Sequence, residues 1–449
     1  MSKEVKKTED LKPPKHVEVF FDVRDGSYWY RLNGRFISLK KTDLFMHLRA
    51  LGLCENFYFE GQREIEWPLY NAQLTRMIDY AGALAGHRTG IFSDGSGRKY
   101  LVTDEPAGVF DKMEKNPNPE FFSEFIFELL PEGQAEMFLT WLAISLKSLR
   151  RGDFRHGQAV VLAGPAGCGK SLLQSIITEV FGGRSASPFR YMMELTQFNK
   201  DLCGAEHWQI EDPASTTDIR TRRQFGAKLK EATVNRDFSI HAKGKDALTL
   251  PLFRRVTISV NDEPENLAVV PPLDNSIEDK IFLFHCSQAQ KCFKQFRDKQ
   301  GEIDRAKTWA QVQKEIPEIR AWLLENYTTV APKFRDDRFG IKAWHHPSLR
   351  AELVSLAPET RLLQLVDDAL FSGDGIQLKF DGKSSDLEKQ LRKSEVSFEV
   401  EKILRYPGAC GSYLGKLSKS HPERISKRVN TGNAFWTIQP PETTTKTTE

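Results

Sequence analysis

Residues 160–171 read VVLAGPAGCGKS, and the next ten read LLQSIITEVF: an apolar run, a glycine-rich loop closed by Lys-Ser, then a helical pattern. Strand, loop and helix in that order make a phosphate cradle. Glycines let backbone N–H groups turn toward phosphate oxygens, and the helix N-terminus adds partial positive charge. The candidate nucleotide-binding residues are therefore Gly164, Pro165, Ala166, Gly167, Cys168, Gly169, Lys170, Ser171 and Leu172. Lys170 would reach the β- and γ-phosphate oxygens and the Ser171 hydroxyl would ligate Mg²⁺, so ATP and Mg²⁺ are the expected ligands. Cys168 reads as a small filler.

Outward from the loop, short β-branched runs alternate with helical segments from Gln158 to about Cys286. This is the pattern of an α/β fold whose parallel sheet is flanked by helices. Hydrolysis needs acidic groups at the end of a neighbouring strand, and AEHWQIEDP (205–213) supplies Glu211 and Asp212. Glu211 would hold Mg²⁺ through water and Asp212 would orient or deprotonate the attacking water, because phosphoryl transfer rests on positioning and charge neutralisation. A solvated Asp-Pro turn is the other reading of that pair. LFRRVTISVNDEP (252–264) then delivers Asn261 to a strand end, where an amide can bond the γ-phosphate or the lytic water without adding negative charge.

The chain has 449 residues, more than one hydrophobic core usually supports, and 40% of them are apolar. Its 64 basic residues nearly balance 61 acidic ones, so the net charge of +3 does not by itself imply a nucleic-acid partner. No apolar run is long enough to cross a bilayer, and the first residues lack a hydrophobic centre, so a cytoplasmic protein without a membrane partner is expected. The six cysteines form no CxxC pair and read as reduced thiols. Neither His345-His346 nor His285 with Cys286 and Cys292 has zinc spacing, and packing or solvent roles are expected for them.

Composition shifts and turn signals divide the chain. Residues 1–15 form an unstructured arm and 439–449 an unstructured tail. An α+β domain is expected over 16–112, opening with a meander that turns at Asp25-Gly26 and Asn33-Gly34. A helical region follows over 113–157, then the nucleotide domain over 158–335. In the last domain, 336–438, helices near 359–371, 384–393, 396–404 and 409–420 precede a hairpin turning at Thr431-Gly432-Asn433, an order that suggests a winged helix. Within ACGSYLGKLSKSHPERISKRVN (409–430), Lys416, Lys419, Arg424, Lys427 and Arg428 outweigh Glu423 and would suit a helix and wing on duplex DNA. A winged helix serving protein contacts is the alternative. Tyr413, Phe435 and Trp436 read as packing residues.

A phosphate loop, an acidic pair, a basic hairpin segment and a strand ending in Asn, in this order, resemble the superfamily 3 helicases of the AAA+ class. The hairpin segment is KLKEATVNRDFSIHAKGKDALTLPLF (228–253). More narrowly, Asp212-Pro213, RRVTISVND, PPLDNSIEDKIFLF and RFGIKAWHHP are similar to stretches of the primase-helicases of phages, plasmids and mobile islands. The resemblance implies a homo-oligomeric ring, expected to be a hexamer joined through 113–157, with single-stranded DNA in its channel. It further implies that Lys243 and Lys245, with His241 beside them, contact the DNA backbone, and that a primase, polymerase or initiator partner exists. It implies a trans-acting arginine finger after the Asn strand, where this chain offers Lys280 in EDKIFLF. Lysine lacks the planar fork, so Arg254, Arg255, Arg220, Arg222 and Arg223 are the other candidates. No Asp-x-Asp with a following His stands in the first 110 residues, and primase activity is not expected. The function expected is an ATP-dependent DNA helicase; a DNA-binding assembly switch and an RNA-directed helicase are the alternatives.

Overall fold

The computed structural model describes residues 17–59, 61–212, 219–241, 247–372, 378–430 and 432–441. They fall into two units: Met1–Pro213 with Arg223–Asn261 and Asp279–Trp344, and Ala214–Arg222 with Asp262–Glu278 and His345–Glu449. Among the described residues no helix is long and apolar enough to cross a membrane.

The first unit opens with the expected meander, β1 (Val19–Asp22), β2 (Ser27–Leu32) and β3 (Arg35–Leu39). Both residues of the Asn33-Gly34 turn have positive φ, 48° and 83°, the conformation in which such turns match strand twist. Helix α1 (Lys41–Ala50), the short pair β4 (Tyr58–Phe59) and β5 (Gln62–Arg63), and α2 (Trp67–Thr75) follow. Val19, Tyr28, Tyr30, Leu44, Leu48 and Leu69 close a small core beneath them. Strand β6 (Met77–Ile78) then adds in parallel to β1. A second sheet, ordered β7-β9-β8, is built from β7 (Tyr80–Gly82), β8 (Gly90–Ser93) and β9 (Lys99–Val102). Its loops bond to the segments around the larger parallel sheet: Ala85 N–H donates to the Cys203 carbonyl (2.8 Å) and Ala107 N–H to that of Gly182 (3.1 Å). The buried Glu206 carboxylate accepts from Gly86 N–H (2.8 Å) and from Arg184. Burial pushes its carboxyl up, and Arg184 pulls it back.

Helices α3 (Glu120–Leu129) and α4 (Gln134–Arg151) lead into β10 (Ala159–Ala163). All five β10 residues are buried, as a central parallel strand covered on both faces requires. The sheet has the order β11-β12-β15-β10-β16 and is parallel throughout: β11 (Ser185–Ala186), β12 (His207–Glu211), β15 (Arg255–Val260), β16 (Ile281–His285). Helix α5 (Lys170–Val180) follows β10, and the four-residue α6 (Phe189–Met192) precedes β12. Helix α7 (Ile219–Val234) leads to an antiparallel hairpin, β13 (Asp237–Ile240) with β14 (Leu248–Pro251), which stands apart from the main sheet. Phe121, Phe122, Phe125, Phe138, Trp141 and Phe181 dominate the core between α3, α4 and the sheet. Against it lies α9 (Arg305–Asn326), whose Arg320 donates to Glu179 (2.6 Å) and Val180 (3.1 Å) carbonyls at the end of α5. A cation there offsets the negative end of the helix dipole.

The second unit holds α8 (Pro264–Leu267), α10 (Pro347–Ser355), α11 (Pro358–Leu370), β17 (Phe380–Gly382), α12 (Ser384–Leu391), α13 (Ser397–Ile403), α14 (Ala409–Ser420), β18 (Ile425–Asn430) and β19 (Asn433–Ile438). The terminal hairpin pairs Lys427 with Trp436 and Arg428 with Phe435, and β17 extends it on the β19 side. The sequence did not announce β17, a three-residue strand ending at Gly382. Tyr413, Trp436 and Ile438 are buried with Leu362, Val366 and Leu387, while β18 exposes every residue after Ile425.

Candidate nucleotide site

In a parallel sheet every strand delivers its following loop to one edge, and that edge collects the expected site residues. The loop after β10 approaches the end of β16 so closely that a Cβ on Gly164 would lie 2.4 Å from the Cys286 carbonyl oxygen. Gly169 has φ 123°, and a Cβ there would meet the Phe125 ring at 2.9 Å. Both glycines are needed for the loop to close over the sheet.

Lys170 is buried at the start of α5. Its ammonium donates to the carbonyls of Gly164 (2.6 Å) and Pro165 (2.9 Å) and to Asn261 Oδ1 (3.2 Å). The loop lysine and the strand-end amide, 91 residues apart, are thus brought together. Cys168 is buried in the loop, and its thiol is pulled down to about 6, first by a hydrogen bond with Cys286 and then by the Lys170 ammonium 3.9 Å away, against the effect of burial.

Strand β15 separates β10 from β12, so the acidic pair reaches the same edge one strand beyond Asn261. Glu211 ends β12 and Asp212 follows with φ 38°, a left-handed conformation that Asp tolerates better than most residues. Asp212 N–H donates to the Ser259 carbonyl (3.0 Å), and both carboxylates are exposed. Ser171 is exposed as well. One hydroxyl and two carboxylates are hard oxygen donors, and Mg²⁺ takes few protein ligands, so Ser171, Glu211 and Asp212 fit Mg²⁺ and the cradle fits a nucleotide triphosphate. Among the described residues no three His, Cys, Asp or Glu side chains gather as a metal site.

Beneath the edge lies a polar layer that the sequence did not signal. Gln174 of α5 donates to Thr257 Oγ1 (2.8 Å), and the fully buried His207 ring joins Thr178 (2.7 Å) to Thr257 (2.8 Å). Burial lowers His207 to about 3, so the ring is neutral. This layer ties the helix after the phosphate loop to the two strands that carry the acidic pair and Asn261.

Several expected site residues stand elsewhere. Arg255 begins β15 and so lies at the opposite edge of the sheet from Asn261; it is buried, donating to Ser145 (2.7 Å) and to the Arg155 carbonyl (3.0 Å). Arg254 is buried too, donating to the carbonyls of Ala232 (2.9 Å) and Asn235 (2.5 Å) as α7 ends. Desolvation lowers both guanidiniums, to about 10 for Arg254 and about 9 for Arg255. Neither side chain is presented to a neighbouring molecule. Arg222 is buried and donates to the Val270 carbonyl (3.0 Å). Lys280 is 6% exposed and paired with Asp279 (2.5 Å). The side chains of Arg220 and Arg223 lie outside the described residues, as do Lys243 and Lys245. His241, at the start of the hairpin turn, is exposed.

Of the basic residues near the C-terminus, Lys416 pairs with Glu359 (2.9 Å), Arg424 with Asp367 (2.5 Å) and Arg428 with Asp381 (2.6 Å). Lys419 and Lys427 are exposed, and the Lys427 ammonium lies 5.5 Å from the centre of the Trp436 ring.

A family model described as "Family of unknown function (DUF5906)" matches residues 162–276, from inside β10 through the hairpin and β15. No curated protein matches the chain. Among solved structures, the apo A form of the NrS-1 C-terminal region aligns with TM-score 0.54 at 13% identity, over 95% of this chain and 97% of that one. A second apo structure of that region, residues 305–718, gives 0.54 at 14% identity over 95% and 96%. A structure of SCCmec type IV Cch, described as an active helicase, covers 94% and 92% at 11% identity, but its TM-score of 0.38 is too low to bear on the fold. At 13–14% identity, the alignments with the NrS-1 C-terminal region show a shared fold over nearly the whole of both chains.

Proposed function

We propose that the chain is an ATP-dependent DNA helicase of superfamily 3 type, forming a ring in which ATP hydrolysis moves the β13–β14 hairpin along one strand. The observation that carries this reading is the gathering of Lys170, Asn261, Glu211 and Asp212 at one sheet edge, with the hairpin spliced between the strands that bear the acidic pair and Asn261. Lys170 would exchange its carbonyl partners for phosphate oxygens while Asn261 holds or senses it. Asp212 would orient and take a proton from the attacking water. Mg²⁺, held by Ser171 and by Glu211 through water, would neutralise the β- and γ-phosphate oxygens. With Arg254 and Arg255 turned inward and Lys280 paired, the trans-acting cation falls to Arg220 or Arg223 of a neighbouring subunit. The helices and hairpin of 336–438 would act as a winged helix on duplex DNA. A phage, plasmid or mobile-element setting is part of the same proposal.

The test is ATP-dependent displacement of a labelled strand from a forked DNA duplex. Wild type should unwind it, and Lys170→Ala should lose about 10²- to 10³-fold in ATP hydrolysis, the scale set by removing one charge-stabilising donor. Hydrolysis without displacement would point instead to a DNA-binding assembly switch, and displacement confined to RNA duplexes to an RNA-directed enzyme.

A further inference from the structure

The hairpin is bound to the ATPase core through a residue that belongs to neither the phosphate loop, the acidic pair nor the Asn261 strand. Asn199, fully buried, lies in the loop between α6 and β12. Its Oδ1 accepts from His241 N–H (2.7 Å), its Nδ2 donates to the Ser239 carbonyl (2.9 Å), and its own N–H donates to the His241 carbonyl (3.2 Å). One asparagine thus continues the ladder on the edge of β13 that β14 leaves open. From Asn199 a single 3₁₀ turn, Lys200–Leu202, reaches the Leu202 carbonyl, which accepts the indole N–H of Trp208 (3.1 Å). Trp208 lies on β12, three residues before Glu211. Its ring packs edge-on against Phe238 of β13, centroids 5.2 Å apart, with the Arg254 guanidinium 5.6 Å from each ring.

Chemistry explains why asparagine stands there. Only an amide offers one acceptor and one donor on a short, stiff stem, which is what a strand edge presents at alternate atoms. Of the residues it bonds, His241 is exposed and Ser239 half-buried, so water can reach the freed backbone groups if the amide is removed. What depends on it is the fixed relation between β13 and the strand that ends in the acidic pair.

Resting on the helicase reading, we infer that Asn199 is a positioning residue that, with Trp208, couples the nucleotide state at Glu211 and Asp212 to the β13–β14 hairpin. The experiment compares wild type, Asn199→Ala and Trp208→Phe, the last keeping an aromatic ring and removing the bond to Leu202. ATP hydrolysis is measured with and without single-stranded DNA, together with amide exchange of residues 237–241 with and without a non-hydrolysable ATP analogue and Mg²⁺. Both variants should keep the DNA-free rate and the KM for ATP, while the DNA-stimulated kcat falls at least about fivefold, the lower range of site-to-site coupling. The analogue should change exchange at 237–241 in wild type and not in Asn199→Ala. A stimulated kcat equal to wild type, or a parallel fall of basal and stimulated rates, would overturn the inference. If single strands fail to stimulate wild type, the helicase reading fails by itself. Amide exchange then decides the coupling: indifference of 237–241 to the analogue in wild type sinks it, and a response abolished in Asn199→Ala sustains it.

Discussion

The chain carries two basic hairpins held in opposite ways. In β13–β14, Phe238, Ile240, Leu248 and Leu250 are buried, and β13 is bonded through Asn199 and packed through Trp208 onto the strand that bears the acidic pair. In β18–β19, Ile425, Trp436 and Ile438 anchor the hairpin to its own helical core, and β18 faces solvent at every residue after Ile425. The first is tied to the place where ATP would be hydrolysed. The second is tied to β17 and to the helices beside it. Burial and bonding of this kind suit a moving part in one case and a binding surface in the other, although both carry lysines near their turns.

The sharpest way to break that contrast is to neutralise each hairpin in turn. Lys243→Ala with Lys245→Ala should abolish strand displacement, by about 10²-fold or more if both lysines must grip the DNA backbone in every cycle, while ATP hydrolysis without DNA continues. Lys427→Ala with Arg428→Ala should leave the unwinding rate of bound protein intact. It should weaken duplex binding and reduce the slope of log affinity against log salt by about 1.8, roughly 0.9 for each phosphate that is no longer neutralised. Exchanged phenotypes, measured by displacement and by binding titration at several salt concentrations, would show that the two hairpins have been assigned the wrong way round.

How much of the molecule is legible in its sequence depends on whether the signal is local. The phosphate loop is readable because strand, glycines, lysine and helix are consecutive, and both hairpins because alternation and turn residues are local too. Asn261 is readable from its order after Glu211 and Asp212. Asn199 is not: its partners Ser239 and His241 lie 40 and 42 residues away and are backbone atoms, which leave no side-chain pattern. Arg254 and Arg255 mislead for a different reason. Charged residues are almost never fully buried, so two arginines in tandem read as surface. The available clue is their position between Leu252-Phe253 and the apolar run of a central parallel strand, where carbonyl oxygens rather than water solvate them.

Acid should also separate the two regions, through His207 on the anchoring strand. Its ordinary value of 6.5 falls to about 3 in the folded chain because burial excludes the proton. Below pH 6.5 the unfolded chain takes up a proton that the folded one refuses. The contribution is therefore complete above 6.5 and is lost progressively as pH falls toward 3. At pH 5.5 this one group costs about 1.4 kcal/mol. Melting His207→Gln beside wild type at pH 7.5 and 5.5 should show a smaller acid loss in the variant by about that amount. Equal losses would mean that the ring is protonated in place, and that β12 is less firmly buried than its hydrogen bonds to Thr178 and Thr257 imply.

The smallest expected effect concerns the acids that already occupy the C-terminal cations. Arg428 is paired with Asp381, and both lie near the surface, where such a pair is worth about 0.2–1 kcal/mol. A phosphate that recruits Arg428 has to displace that carboxylate. Asp381→Asn removes the competitor and leaves the arginine, so duplex affinity should rise by about 1.5- to 5-fold, the equivalent of the pair's own strength. The gain should disappear when Arg428→Ala is added, because the carboxylate then has nothing to withhold. An affinity that Asp381→Asn leaves unchanged, or one that rises equally without Arg428, would mean that Arg428 serves the hairpin's attachment to β17 and that Lys419 and Lys427 hold the duplex without it.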